Sequence, residues 1–116
     1  MKKSIALLLC ASIAFASAAA QAAPKGKVLL VTSSTDTLVL KDGTPHPTGY
    51  FLDELTVPVM QVMREGYEVV LATPKGNIPT MDPVSADVSL FHGDKKALDE
   101  ALNFVKTSPV MTRPSR

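Results

Sequence analysis

Lys27-Val28-Leu29-Leu30-Val31-Thr32 and Glu68-Val69-Val70-Leu71-Ala72-Thr73 are two short runs dominated by aliphatic side chains. Neither alternates apolar with polar residues, so each reads as a strand buried on both faces, the kind found in parallel sheets. Between them, from about Thr48 to Glu65, Leu52, Leu55, Val59 and Val62 step by three, four and three, which is the stripe of an amphipathic helix. Gly66 ends that helix. Pro58 inside it removes the N–H that would reach the Glu54 carbonyl and is expected to bend the axis. Strand, helix and strand, with roughly 35 residues between the strand ends, make a right-handed βαβ crossover in a parallel sheet.

On the amino-terminal side of the helix, Ser33 to Pro47 is polar and rich in Thr, Asp, Gly and Pro, with one apolar triplet, Leu38-Val39-Leu40, fit for a small excursion strand. Beyond the second strand, Pro74 to Pro83 is a proline-punctuated loop. It leaves the carboxyl end of a strand, the edge at which open α/β sheets bind ligands. A second amphipathic helix is expected from about Asp94 to Lys106, with Leu98, Ala101, Leu102 and Val105 inward and Asp94 helping its start. The tail, Thr107 to Arg116, carries Pro109 and Pro114 and shows no periodicity. Two strands and two helices are too few to cover both faces of a parallel sheet. The chain is therefore expected to be the front half of an α/β domain.

Residues 1–22 read differently. A Lys2-Lys3 head, an apolar stretch from Ile5 to Ala16 and the small-residue end Ala20-Gln21-Ala22 have the layout of a Sec-type signal peptide, cut after Ala22 for export to the periplasm or the cell exterior. The apolar stretch is too short for a spanning helix, which needs about 20 apolar residues, so no membrane association is expected after cleavage. Removing 22 of the 116 residues leaves residues 23–116 as one small domain of 94 residues. The leader holds two of the twelve basic residues and none of the eleven acidic ones, so the mature chain carries ten against eleven, a net charge of −1. That balance offers no basic patch for nucleic acid. The single cysteine, Cys10, falls within the leader, and a mature chain without cysteine has no disulfide, no Cys-ligated zinc and no cysteine nucleophile.

The order of three segments carries a resemblance. Thr48-Gly49-Tyr50-Phe51-Leu52-Asp53-Glu54-Leu55-Thr56-Val57-Pro58, then Ala72-Thr73-Pro74-Lys75-Gly76, then Asp82-Pro83-Val84-Ser85, following the run Lys27 to Ser33, resemble the ThiJ/PfpI family of class I glutamine amidotransferase-like proteins. The likeness is to the branch of heat-shock chaperones and glutathione-independent glyoxalases, and it covers nearly all of the mature chain. It implies a flavodoxin-like three-layer α/β sandwich with a parallel sheet, here truncated to its N-terminal half. It also implies cofactor-free conversion of methylglyoxal and similar 2-oxoaldehydes to hydroxy acids, a glyoxalase III-type lyase reaction. In that family a cysteine on a strand-to-helix elbow, commonly followed by His, works with an acid from the first helix. Glu54 stands in the acid's place, whereas the Cys and His have no counterpart.

A carboxyl beside a low-pKa thiolate can shuttle a proton on a bound aldehyde; without the thiolate no hemithioacetal forms, so the chain alone is expected to be inactive. Read without the resemblance, Glu54 is an acidic residue early in a helix, favoured there by the macrodipole. His46 and His92 are 46 residues apart and read as exposed loop histidines, too few for a zinc site even if Asp36 or Asp94 joined them. Neither is expected to partner Glu54. Ser33-Ser34 lacks a base and an oxyanion site nearby. Gly43, Gly49, Gly66 and Gly76 form no phosphate-binding loop, and Met60 and Met63 read as packing of the first helix. Two other readings stand beside the enzyme fragment: a non-catalytic binding or holdase-like module, and a truncation product without function. The partners that follow are a small 2-oxoaldehyde, a second copy of the chain, or a missing C-terminal half.

Overall fold

The computed structural model describes residues 22–116. The signal-peptide reading, with Cys10, falls on residues 1–22 and so lies outside the described residues except for Ala22. Strand β1 (Lys27–Val31) pairs in parallel with β4 (Glu68–Ala72), in a register that runs from Lys27 opposite Glu68 to Val31 opposite Ala72. Helix α1 (Leu52–Arg64) forms the crossover between them. Ahead of α1, β2 (Thr37–Val39) and β3 (Pro45–Pro47) form a small antiparallel hairpin. Two 3-10 turns, Pro83–Ser85 and Val88–Phe91, then lead into α2 (Lys95–Thr107) and the short α3 (Pro109–Thr112). The described residues are thus mixed α/β, built on a parallel pair and three helices.

The apolar stripe of α1 faces inward: Leu52, Leu55 and Val59 are buried, together with Thr56, whose hydroxyl donates to the Leu52 carbonyl at 2.7 Å and so loses nothing by leaving water. Leu55 and Val59 pack with Val69 and Leu71 of β4 and Met111 of α3, while Leu52 packs with Phe91 and Ala101 of α2. Burying a side chain such as Leu71 contributes about 1.5–3 kcal/mol. Ala101 is buried and Leu98, Leu102 and Val105 are half-buried against this core, as the α2 pattern predicts.

The structure departs from expectation at three places. First, β1 is not buried on both faces. Side chains alternate along a strand, so Val28 and Leu30 share the face of Val69 and Leu71, where Leu30 packs against the core, and Leu29 and Val31 take the other. Leu29 is 64% exposed and Val31 65%, because α1 supplies only one layer. Second, α1 begins at Leu52 rather than near Thr48. The Tyr50 N–H donates to the Thr80 carbonyl, and the Asp82 N–H to the Tyr50 carbonyl, both at 2.9 Å. That bridge holds Tyr50 extended beside Met81, and a helix cannot start until it is passed. Third, the tail is ordered. After α3, Ser115 pairs in parallel with Ala72, donating to the Leu71 carbonyl at 2.7 Å and accepting from Thr73 N–H at 3.1 Å. A single residue thereby extends the sheet on the far side of β4.

Candidate functional site

Glu54 lies in the first turn of α1, where the helix dipole favours a negative charge. It lines a cleft of about 580 Å³ between the first half of α1 and the segment Leu90–Ala97. Val57, Pro58 and Phe91 give this cleft apolar walls, and Asp53, His92 and Asp94 add polar ones. Oδ1 of Asp53 is buried without a hydrogen-bond partner in the protein.

The opposite wall follows from two caps in series. Asp87 accepts from the Ser89 N–H at 2.8 Å and opens the turn Val88–Phe91. Hydrogen bonds from the side chain and backbone of Ser89 hold its carboxyl below the usual aspartate range. Phe91 anchors the turn in the core, and the chain then reverses through two left-handed residues, His92 (φ 54°) and Gly93 (φ 80°). Asp94 follows as N-cap of α2, accepting from Lys96 N–H at 2.9 Å and Ala97 N–H at 3.1 Å. The left-handed conformation costs a residue with a side chain about 1–2 kcal/mol.

His92, read from the sequence as an exposed loop histidine, stands near Glu54 without a hydrogen bond to it. The turn at Phe91 folds the histidine back, so that both residues line one cleft. His46, by contrast, sits in β3 of the hairpin and lines a different part of the surface. Among the described residues no group of three or more His, Cys, Asp or Glu side chains is placed to hold a metal ion. Ser34 braces two loops. Its hydroxyl accepts from Lys75 N–H at 3.0 Å, tying the loop after β1 to the loop after β4. Met60 is half-buried on α1, while Met63 is 38% exposed.

A second concavity, of about 270 Å³, opens at the carboxyl end of β1 and does not include Glu54. Thr32, Ser33, Thr35, Thr48, Tyr50 and Thr80 line it with hydroxyl-bearing residues, and Leu38 and Pro79 add apolar surface. Gly49 also stands in its lining. The residue is needed because a Cβ there would lie 2.1 Å from the Thr80 carbonyl oxygen. The usable signal was position: this is the carboxyl edge of a parallel strand.

Chemically, the Glu54 cleft offers a carboxyl and an imidazole able to exchange protons with a small guest, but no thiol, since the only cysteine of the sequence is Cys10. Comparison with models of known protein families gives no match to this chain, and comparison with characterised protein sequences gives none either.

Proposed function

We propose that residues 23–116 form the N-terminal part of an exported, flavodoxin-like α/β sandwich of ThiJ/PfpI type, and that this part is catalytically silent alone. The parent chemistry is the cofactor-free conversion of methylglyoxal-type 2-oxoaldehydes to hydroxy acids. The observation that carries the reading is the position of Glu54: it stands in the first turn of the helix that crosses between two parallel strands, on the wall of a cleft large enough for such a substrate. The open Leu29 and Val31 face of the sheet also supports it, since a doubly wound sheet carries a second helix layer there.

In the parent reaction Glu54 serves as the proton shuttle on an aldehyde held by a thiolate. An imidazole such as that of His92 can take up a proton but does not replace the sulfur that forms the hemithioacetal. Incubating the purified protein with methylglyoxal should give hydroxy acid no faster than buffer does, and Glu54→Gln should change nothing. Glu54-dependent turnover would overturn the assignment of silence and place another nucleophile in the cleft.

A holdase-like binding module is the second reading, favoured by exposed Leu29, Val31, Leu38 and Val39. Protection of an aggregating client, followed by light scattering, separates it from a fragment without activity.

A further inference from the structure

We propose that the outer edge of β1 docks a second copy of the chain. The two β1 strands pair antiparallel across a two-fold axis at Leu30, so that two parallel pairs become one sheet in the order β4-β1-β1-β4. This goes beyond the reading of the Glu54 cleft and does not depend on it.

The hydrogen bonds of the parallel pair fix which way the β1 backbone faces. The Gly26 carbonyl accepts from Glu68 N–H at 2.9 Å, and Thr32 N–H donates to the Ala72 carbonyl at 3.0 Å, so the even-numbered residues of this stretch turn toward β4. Lys27, Leu29 and Val31 turn their N–H and C=O groups the other way. Among the described residues no backbone hydrogen bond from another segment reaches those three. Such an edge is a template for a further strand. The side chains of the same residues share the open face of the sheet, where Leu29 and Val31 are largely exposed and the Lys27 ammonium is held 3.3 Å from Glu68. The one charge on the strand is thereby offset within its own chain.

Self-complementarity identifies the occupant and its register. The free backbone groups lie on odd-numbered residues, so an antiparallel copy must set odd residues opposite odd ones. With Leu30 on the axis, Leu29 stands opposite the second copy's Val31 and Val31 opposite its Leu29, while Lys27 meets Ser33. Apolar side chains then face apolar ones and no two like charges meet, the pairing that stabilises adjacent strands. An axis at Leu29 would set Lys27 against Val31 and leave that valine without an apolar neighbour. Two five-residue strands bury far less than the roughly 1,600 Å² of a standard interface, so the dimer is weak and forms only in concentrated solution.

The test is register-specific cross-linking in the full chain carrying Cys10→Ser, which leaves the introduced thiol as the only one. Leu29→Cys and Val31→Cys variants with different tags are mixed and oxidised. Hydrogen-bonded antiparallel partners have Cα atoms about 5.5 Å apart, within reach of a disulfide, so the mixed product should form at least about fivefold faster than either variant's disulfide with itself. In the unaltered chain, amide exchange at Leu29 and Val31 should slow as concentration rises, whereas Val28 and Leu30, already bonded to β4, change little. Val31→Lys places a charge on the docking edge and should raise the dissociation constant about tenfold or more with helix content unchanged. A chain that stays monomeric up to about 1 mM would overturn the proposal. So would equal rates of mixed and self cross-linking, unaltered association of Val31→Lys, or concentration-dependent protection confined to amides outside β1, which would place the contact on another surface.

Discussion

A methyl group at Gly49 would lie 2.1 Å from the Thr80 carbonyl oxygen and 2.7 Å from the Asp82 nitrogen. Both are backbone atoms, and the same strip of chain is fixed by the two 2.9 Å hydrogen bonds of Tyr50, so no flexible side chain can give way. Gly49→Ala should therefore destabilise the fold by at least about 3 kcal/mol, at or beyond the upper end of ordinary overpacking. Urea unfolding would measure it, and a change below about 1 kcal/mol would mean that the loop after β4 moves freely. His92 poses the opposite case. It occupies a left-handed position that glycine would fill at less steric cost, yet its side chain reaches the wall shared with Glu54. Neither property was legible in the sequence, because the close approach and the reversed turn are made by residues 30 or more positions away or by the local path of the chain. Glu54 was legible, since its place in the first turn of an amphipathic helix follows from the apolar stripe alone.

At the level of elements, sequence spacing located the helices because burial and capping act locally. Asp94 illustrates this: a carboxylate just before a run with helical apolar period caps α2 through Lys96 and Ala97. Asp94→Ala should cost about 1 kcal/mol and Asp94→Asn much less, since asparagine caps nearly as well; chemical denaturation of the two variants gives the comparison. A cost shared equally by Asn and Ala would assign the effect to charge rather than to the hydrogen bonds. Asp87, one turn upstream, behaves as a carboxylate whose folded pKa is depressed. Its contribution is present above the ordinary aspartate pKa and is lost as pH falls through the lowered value. Strand burial was less legible than helix position. The Lys27 to Thr32 run has the composition of a central strand, but burial depends on what packs against each face, and that is supplied by elements distant in the chain. The tail was missed for a related reason: one residue, Ser115, pairs with the sheet, too short a segment to show any period.

Across the whole molecule the imbalance lies in the sheet. On the face toward α1, Leu30 packs against the core while Val28 stays 37% exposed, and the opposite face keeps Leu29 and Val31 about two-thirds in water. Among the described residues, two paired strands with one helix layer form a marginal core, and β1 presents its outer edge without proline or bulge, features that discourage strand addition. The protein should therefore melt with low cooperativity, bind dyes that report exposed apolar surface, and associate as its concentration rises. Leu29→Thr with Val31→Thr separates this cause from general looseness. Threonine keeps a β-branched side chain suited to a strand, and the α1 face is untouched, so the pair should cut dye binding and association while helix content stays the same. If dye binding persisted in that variant, the exposed surface would lie elsewhere, with Val39 at 76% exposure the next place to look. A sharp two-state melt of the unaltered monomer, free of dye binding, would show that one covered face is enough to hold the parallel pair and that the Leu29 and Val31 face needs no further layer.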